Sequence, residues 1–163
     1  SDYRPFIQDS VAGALCLAAF VWGAGPERAM AAVWFSCFEV TNFVYRVVLN
    51  ESFQLETTDA FLASADFAAC VLWIFIALNA NRNYPLFIAA LQLLVVAAHL
   101  ARGLIEAISP IAYAVMVIAP GWLELGLLAV GLIRHRSRQS RFGPYREWRV
   151  PVQWFGLRQA RQR

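Results

Sequence analysis

The stretch Trp34–Asn50, WFSCFEVTNFVYRVVLN, decides how the whole chain is read. It is long, aromatic and apolar enough to live in lipid, yet it carries Glu39, Asn42 and Arg46. Ionisable groups are costly inside a bilayer, and where they occur they face the protein interior and mark function. The composition puts the stretch in that setting. Hydrophobic residues make up 60% of the 163-residue chain, against about 45–50% in soluble domains. The excess falls in blocks of about 15–25 residues, and about 20 apolar residues cross a hydrocarbon core as a helix. An all-α fold is predicted: a polytopic transmembrane helical bundle of about five spans with a basic C-terminal tail.

The spans are placed at residues 10–25, 27–50, 57–78, 84–108 and 110–133, which makes residues 1–133 the transmembrane domain and 134–163 the tail. The first span is short; if it is re-entrant, four spans remain. Pro26 and Pro85 suit the first turn of a helix, where a missing N–H costs nothing. Thr57, Thr58 and Asp59 offer capping oxygens. The connections are short, so consecutive helices should run antiparallel.

Charge sets the orientation. Residues 134–163 hold nine Arg and one Glu, a balance of +8; residues 1–133 hold five Arg and ten acidic residues, a balance of −5. Arg-rich segments stay on the cytoplasmic side. The tail and the connections bearing Arg28 and Arg82 are therefore expected in the cytoplasm, with the acidic loop ESFQLETTD and the N-terminus outside. The first residues, SDYRPFIQDS, lack the basic region of a cleavable signal peptide. Cys16, Cys37 and Cys70 sit in apolar segments and are expected to be small buried side chains rather than disulfide partners or zinc ligands.

The polar residues inside the spans share faces. At 100° per residue, Glu39, Asn42 and Arg46 fall within about 60°, and Gln92, His99, Arg102 and Glu106 within about 80°. Asp59 and Asp66 are seven apart, nearly eclipsed, and Glu124 lies near the middle of the fifth span. An intramembrane cluster of these ten residues is expected. The proposed pairings are Arg102 with Asp59 or Glu39, Arg46 with Glu106, and Arg102 with Glu106 along one helix. Plainer readings stand beside it. Arg46 and Arg102 could snorkel to headgroups, Asn42 and Gln92 could join helices, and the carboxyls could form a neutral structural network. His99 cannot make a bis-His haem site, because His135 lies beyond the fifth span. Single-His ligation of a pigment or haem at His99 is a minor alternative, and no cofactor or metal is expected. Pro120-Gly121 predicts a kink. Small residues, Ala65 and Ala69, Ala97 and Ala101, Gly126 and Gly131, would let helices approach closely.

Three segments carry a resemblance: GPERAMAAVWF, NANRNYPLFIAALQLLVVAAHLAR and IAYAVMVIAPGWLELGLLAVG. Over residues 12–133 they resemble a group of small multi-span integral membrane proteins of alphaproteobacteria. The resemblance implies topology and a bacterial inner-membrane location, and it implies no activity.

The tail interleaves Arg134, Arg136, Arg138, Arg141 and Arg149 with Trp148, Trp154 and Phe155. Gly143-Pro144 and Pro151 interrupt it. It reads as a segment on the membrane surface or as a docking segment for a partner, and no nucleic-acid motif is present. No nucleophile–base pair, phosphate loop or metal cluster stands out, so an enzyme is not expected. The leading expectation is a non-catalytic accessory or scaffolding subunit that docks on a larger membrane complex. The alternative is a small proton-linked transporter using the Glu/Asp/His cluster and the Pro120-Gly121 break. A pigment, haem or quinone subunit is a weaker third.

Overall fold

A computed structural model of the chain describes residues 3–48, 60–105, 108–144 and 146–149, without the side chains of residues 3–6, Arg46 and Val48. The side chain of Arg46, together with Asp59, Glu106, Trp154 and Phe155, therefore lies outside the described residues.

The described chain is an all-α bundle of five helices: α1 (Tyr3–Trp22), α2 (25–48), α3 (Ala60–Asn79), α4 (Tyr84–Leu104) and α5 (Pro110–Phe142). Helices α3, α4 and α5 are long and apolar enough to cross a membrane; the apolar part of α1, Ile7–Trp22, is shorter. The prolines act as expected, with Pro26, Pro85 and Pro110 all in first turns. The helices form a ring in which α1 packs on α2 and α5, α2 on α3, α3 on α4, and α4 on α5, with α2 also touching α5.

Large apolar side chains point outward. Phe67, Phe75, Phe87, Leu94, Leu100 and Leu104 are each more than half exposed, an arrangement suited to hydrocarbon and costly in water. Inside the ring, Trp34, Phe38 and Trp73 pack with centroids 5.0–5.9 Å apart. The Trp73 indole donates to the Met30 carbonyl at 3.3 Å. Gly131 lets α4 approach α5: a Cβ there would meet the Tyr84 ring at 2.8 Å. Gly126 has open space beside it and mediates no such approach.

Three expectations change. Helix α4 stops at Leu104, where Ile105 becomes extended (φ −129°, ψ 99°), so the predicted helix to residue 108 does not form. Arg102 donates to the Ile108 carbonyl, holding the turn into α5; its expected pairing with Glu106 lies outside the described residues. Helix α5 runs nine residues past the hydrophobic pattern, to Phe142. At 1.5 Å per residue its length is about 50 Å, some 20 Å more than a bilayer core. Arg134, Arg136, Arg138 and Arg141 thus stand on a projecting helix, not on a separate tail. That helix ends at Gly143, whose φ of 72° is a left-handed position open to glycine. Helix α2 contains two π-helical segments, Phe35–Val40 and Val44–Val48. Their i→i+5 bonds widen the turn, so the 100° spacing assumed for Glu39, Asn42 and Arg46 does not hold there. Pro120, where a kink is expected, is buried inside α5, which continues past it as one helix.

Beyond Gly143, residues 146–149 fold back as a strap. Arg149 N–H donates to Asn79 O at 2.8 Å, and Asn81 N–H to Glu147 O at 3.1 Å. The Glu147 carboxylate accepts from Gly25 N–H at 2.8 Å. A Cβ at residue 25 would lie 2.5 Å from the Trp148 indole nitrogen, so glycine is required by space. The backbones of Trp148 and Arg149 pair with the chain's own connections, and both side chains stay exposed, as a membrane or partner surface needs. The backbone of residues 79–81 offers the strap unpaired hydrogen-bonding groups at a helix end.

Candidate functional site

Two polar clusters occupy opposite ends of the ring. The first joins α3, α4 and α5. Gln92, 1% exposed, donates to the Asp66 carboxylate at 2.8 Å and to the Asp66 carbonyl at 3.0 Å. The other Asp66 oxygen lies 2.8 Å from His99 Nε2. His99 Nδ1 lies 2.8 Å from the Tyr113 hydroxyl. The Arg102 guanidinium stands 5.9 Å from the centre of the Tyr113 ring. The four contacts at 2.8–3.0 Å are normal hydrogen-bond distances. An ionised Asp66 only accepts, so His99 Nε2 donates to it. Neutral His99 then accepts the Tyr113 proton at Nδ1, whereas an imidazolium donates to the Tyr113 oxygen. One geometry therefore accommodates two arrangements that differ by one proton.

Helical spacing brings these groups together. Gln92 and His99 are seven apart, two turns of α4, and Asp66 sits between their levels on α3. At 1.5 Å per residue, His99 is about 7 Å from the end of α4 and Tyr113 about 5 Å from the start of α5. The cluster thus lies nearer the acidic end than the midplane expected for it. Both His99 nitrogens are engaged, which argues against pigment or haem ligation there.

Glu124 is the midplane carboxyl of α5. It is 1% exposed, and its Oε1 has no hydrogen-bond partner among the described residues; the Trp34 indole N–H is in the same position. Glu124 and Asp66 are close enough for their charges to interact, with Cys70 within reach of both. Gly121, one turn before Glu124, faces the Gln8 amide and the Trp34 ring. Glu39 and Asn42 are half-buried on α2.

The second cluster closes the basic end. Glu27, fully buried, pairs with Arg82, whose side chain is 7% exposed. Glu27 also accepts from Tyr84 Oη at 3.2 Å and from Ala24 N–H at 3.2 Å. The latter is the reciprocal half of a capping box, built by an acidic residue at the third helical position. Arg82 Nη2 lies 3.1 Å from His135 Nδ1. Arginine only donates, so His135 Nδ1 accepts. Burial lowers the His135 pKa below its usual value; the Glu27 charge opposes this, Arg82 adds to it, and Glu147 opposes it.

The ten predicted residues thus divide. Asp66, Gln92 and His99 meet in one hydrogen-bonded group with Arg102 close by; Glu124 lies deeper, and Glu39 and Asn42 line α2. The residues that sequence reasoning missed are Tyr113, Glu27, Arg82 as a buried partner, Tyr84, His135 and Glu147. No protein-family model, curated protein or solved structure matches the chain.

Proposed function

We propose that this chain is a small proton-linked carrier of a bacterial inner membrane, with the Asp66–His99–Tyr113 chain as its proton-loading element. The observation that supports the reading is that chain's two-state geometry: a carboxylate, an imidazole and a phenol at 2.8 Å spacings. A purely structural network needs one satisfied arrangement. This one has two, and protons can pass along it by exchange of donors and acceptors. Gln92 fixes the carboxylate so that its free edge faces His99. Arg102, by the Tyr113 ring, supplies a constant positive charge beside the phenol. The basic end is assigned to the cytoplasm and the N-terminus to the outside, in keeping with the Arg bias. Membership of the alphaproteobacterial group is part of the same proposal.

The accessory-subunit reading stands second. In its favour, only 28–33% of the residues in the most apolar windows of α3, α4 and α5 are buried within the chain, which leaves surface for a membrane partner.

The test is charge displacement after pH jumps on proteoliposomes adsorbed to a solid-supported membrane. It needs no knowledge of the carried solute. The wild type should give a transient current, and Asp66→Asn should remove it while keeping the fold, because asparagine can still bond Gln92 and His99. Tyr113→Phe should reduce the current. Absence of any transient in the wild type, or an undiminished one in Asp66→Asn, would overturn the proposal.

A further inference from the structure

The basic end carries a groove of about 700 Å³ that borders the Glu27 cluster at His135. Its two walls differ in chemistry. One is apolar: Val21 and Trp22, 65% and 53% exposed, at the end of α1. The other is basic and polar: Arg28 from the first turn of α2, and Arg136, Gln139 and Ser140 from the projecting part of α5. Arg136 is held 5.0 Å over the Trp22 ring, so a cation and an aromatic face meet where the walls join. The charged groups facing the space are Arg28, Arg136 and Glu147, a formal sum of +1, with His135 at the floor. The Glu147 carboxylate accepts from Gly25 N–H and keeps its charge, so the two guanidinium groups exceed it by one.

We infer that this groove is a binding site for the phosphate-bearing headgroup of an anionic phospholipid. Guanidinium groups match phosphate oxygens in bidentate geometry, and the exposed Gln139 amide adds donors for further headgroup oxygens. A free phosphate would need only the basic wall. The apolar wall distinguishes the two, because it continues along α1 through exposed Phe20 and Leu17, a surface on which an acyl chain can lie. Trp22 at this level also fits the aromatic belt of a membrane interface. The site does not depend on the proton-carrier reading.

Native mass spectrometry of the full chain, released from micelles carrying equal phosphatidylglycerol and phosphatidylcholine, tests the site. Phosphatidylglycerol should be retained in clear preference. The double variant Arg28→Gln, Arg136→Gln should bind it about thirtyfold more weakly, on the order of fivefold for each arginine near an anionic surface. A charge-matched control, Arg134→Gln with Arg138→Gln, should keep the preference, and inorganic phosphate should not displace the lipid. Far-ultraviolet circular dichroism confirms that each variant is folded. Equal retention of the two lipids, or equal loss in the control and the groove variant, overturns the site. Displacement by millimolar inorganic phosphate overturns the lipid assignment in favour of a soluble phosphate.

Discussion

Removing Arg82 should destabilise the protein more than any surface change. The Glu27 carboxylate is fully buried and has three donors: the Arg82 guanidinium, the Ala24 amide and the Tyr84 hydroxyl. Arg82→Met leaves a carboxylate with two neutral donors and no counter-charge, and breaking a buried pair from one side costs about 3–5 kcal/mol. Glu27→Met should cost a similar amount, because it removes the Glu27 counter-charge from a guanidinium that is 7% exposed and leaves the Ala24 amide uncapped, worth about 1 kcal/mol. The double variant should be far less damaging than the sum, since a buried pair replaced by apolar side chains of similar volume is often close to neutral. The cycle should therefore return a coupling of several kcal/mol, insensitive to salt because the pair is shielded from solvent. Unfolding in mixed micelles by dodecyl sulfate titration, followed by circular dichroism and tryptophan fluorescence, measures it. Additive single costs, or single costs below about 1 kcal/mol, would refute the reasoning, because they would mean that water reaches the pair.

Two other outcomes follow from packing and titration. Gly131→Ala places a methyl 2.8 Å from the Tyr84 ring and should cost about 1–3 kcal/mol by overpacking, whereas Gly126→Ala has open space and should be neutral or stabilising by up to about 1 kcal/mol; the same micellar titration compares them. The folded-state pKa of His135 is lowered by burial, so the unfolded chain binds the proton first. The His135 contribution to stability is complete above about pH 6.5 and is lost as pH falls below that value toward the folded pKa. Stability measured from pH 7.5 to 5.5 should fall, and His135→Asn should remove that part of the slope.

The fold was legible because hydrophobic blocks of spanning length, broken by Pro and short polar turns, leave little alternative to a helical bundle. Asp66, Gln92 and His99 were legible as a group for the same reason: charges in such blocks must turn inward, and helical spacing says which can meet. Tyr113 was not legible, since a tyrosine in an apolar segment looks like any aromatic until its hydroxyl is seen on His99. Arg82 was read by position, as a connection charge that sets orientation, and Glu27 as the first residue of the second span. The missed signal was an acidic residue at the third position of α2, with Pro26 before it, at the same end of the bundle as Arg82 in the connection between α3 and α4. The ends of α4 and α5 misled for opposite reasons. Hydropathy runs on past Leu104 although the helix stops, and it ends at Ile133 although Arg, Gln and Ser continue the helix to the glycine at 143.

The two polar clusters look alike in composition, each with a carboxylate, a histidine, a tyrosine and an arginine, but they differ in what their geometry permits. Around Glu27 every donor has a fixed direction: a guanidinium that cannot give up its proton, a backbone amide, and a hydroxyl bound to the same oxygen. Moving a proton there gains no new arrangement, so the cluster reads as a lock on the basic end. Around Asp66 the arginine stands behind the tyrosine ring rather than on the carboxylate. The imidazole takes the place that a permanent cation holds in the other cluster, and it can carry or release a proton without moving its neighbours. Glu124, with one unpartnered oxygen within charge reach of Asp66, extends that asymmetry toward the midplane. The substitution of imidazole for guanidinium as the direct partner of the carboxylate separates the candidate proton site from the structural one.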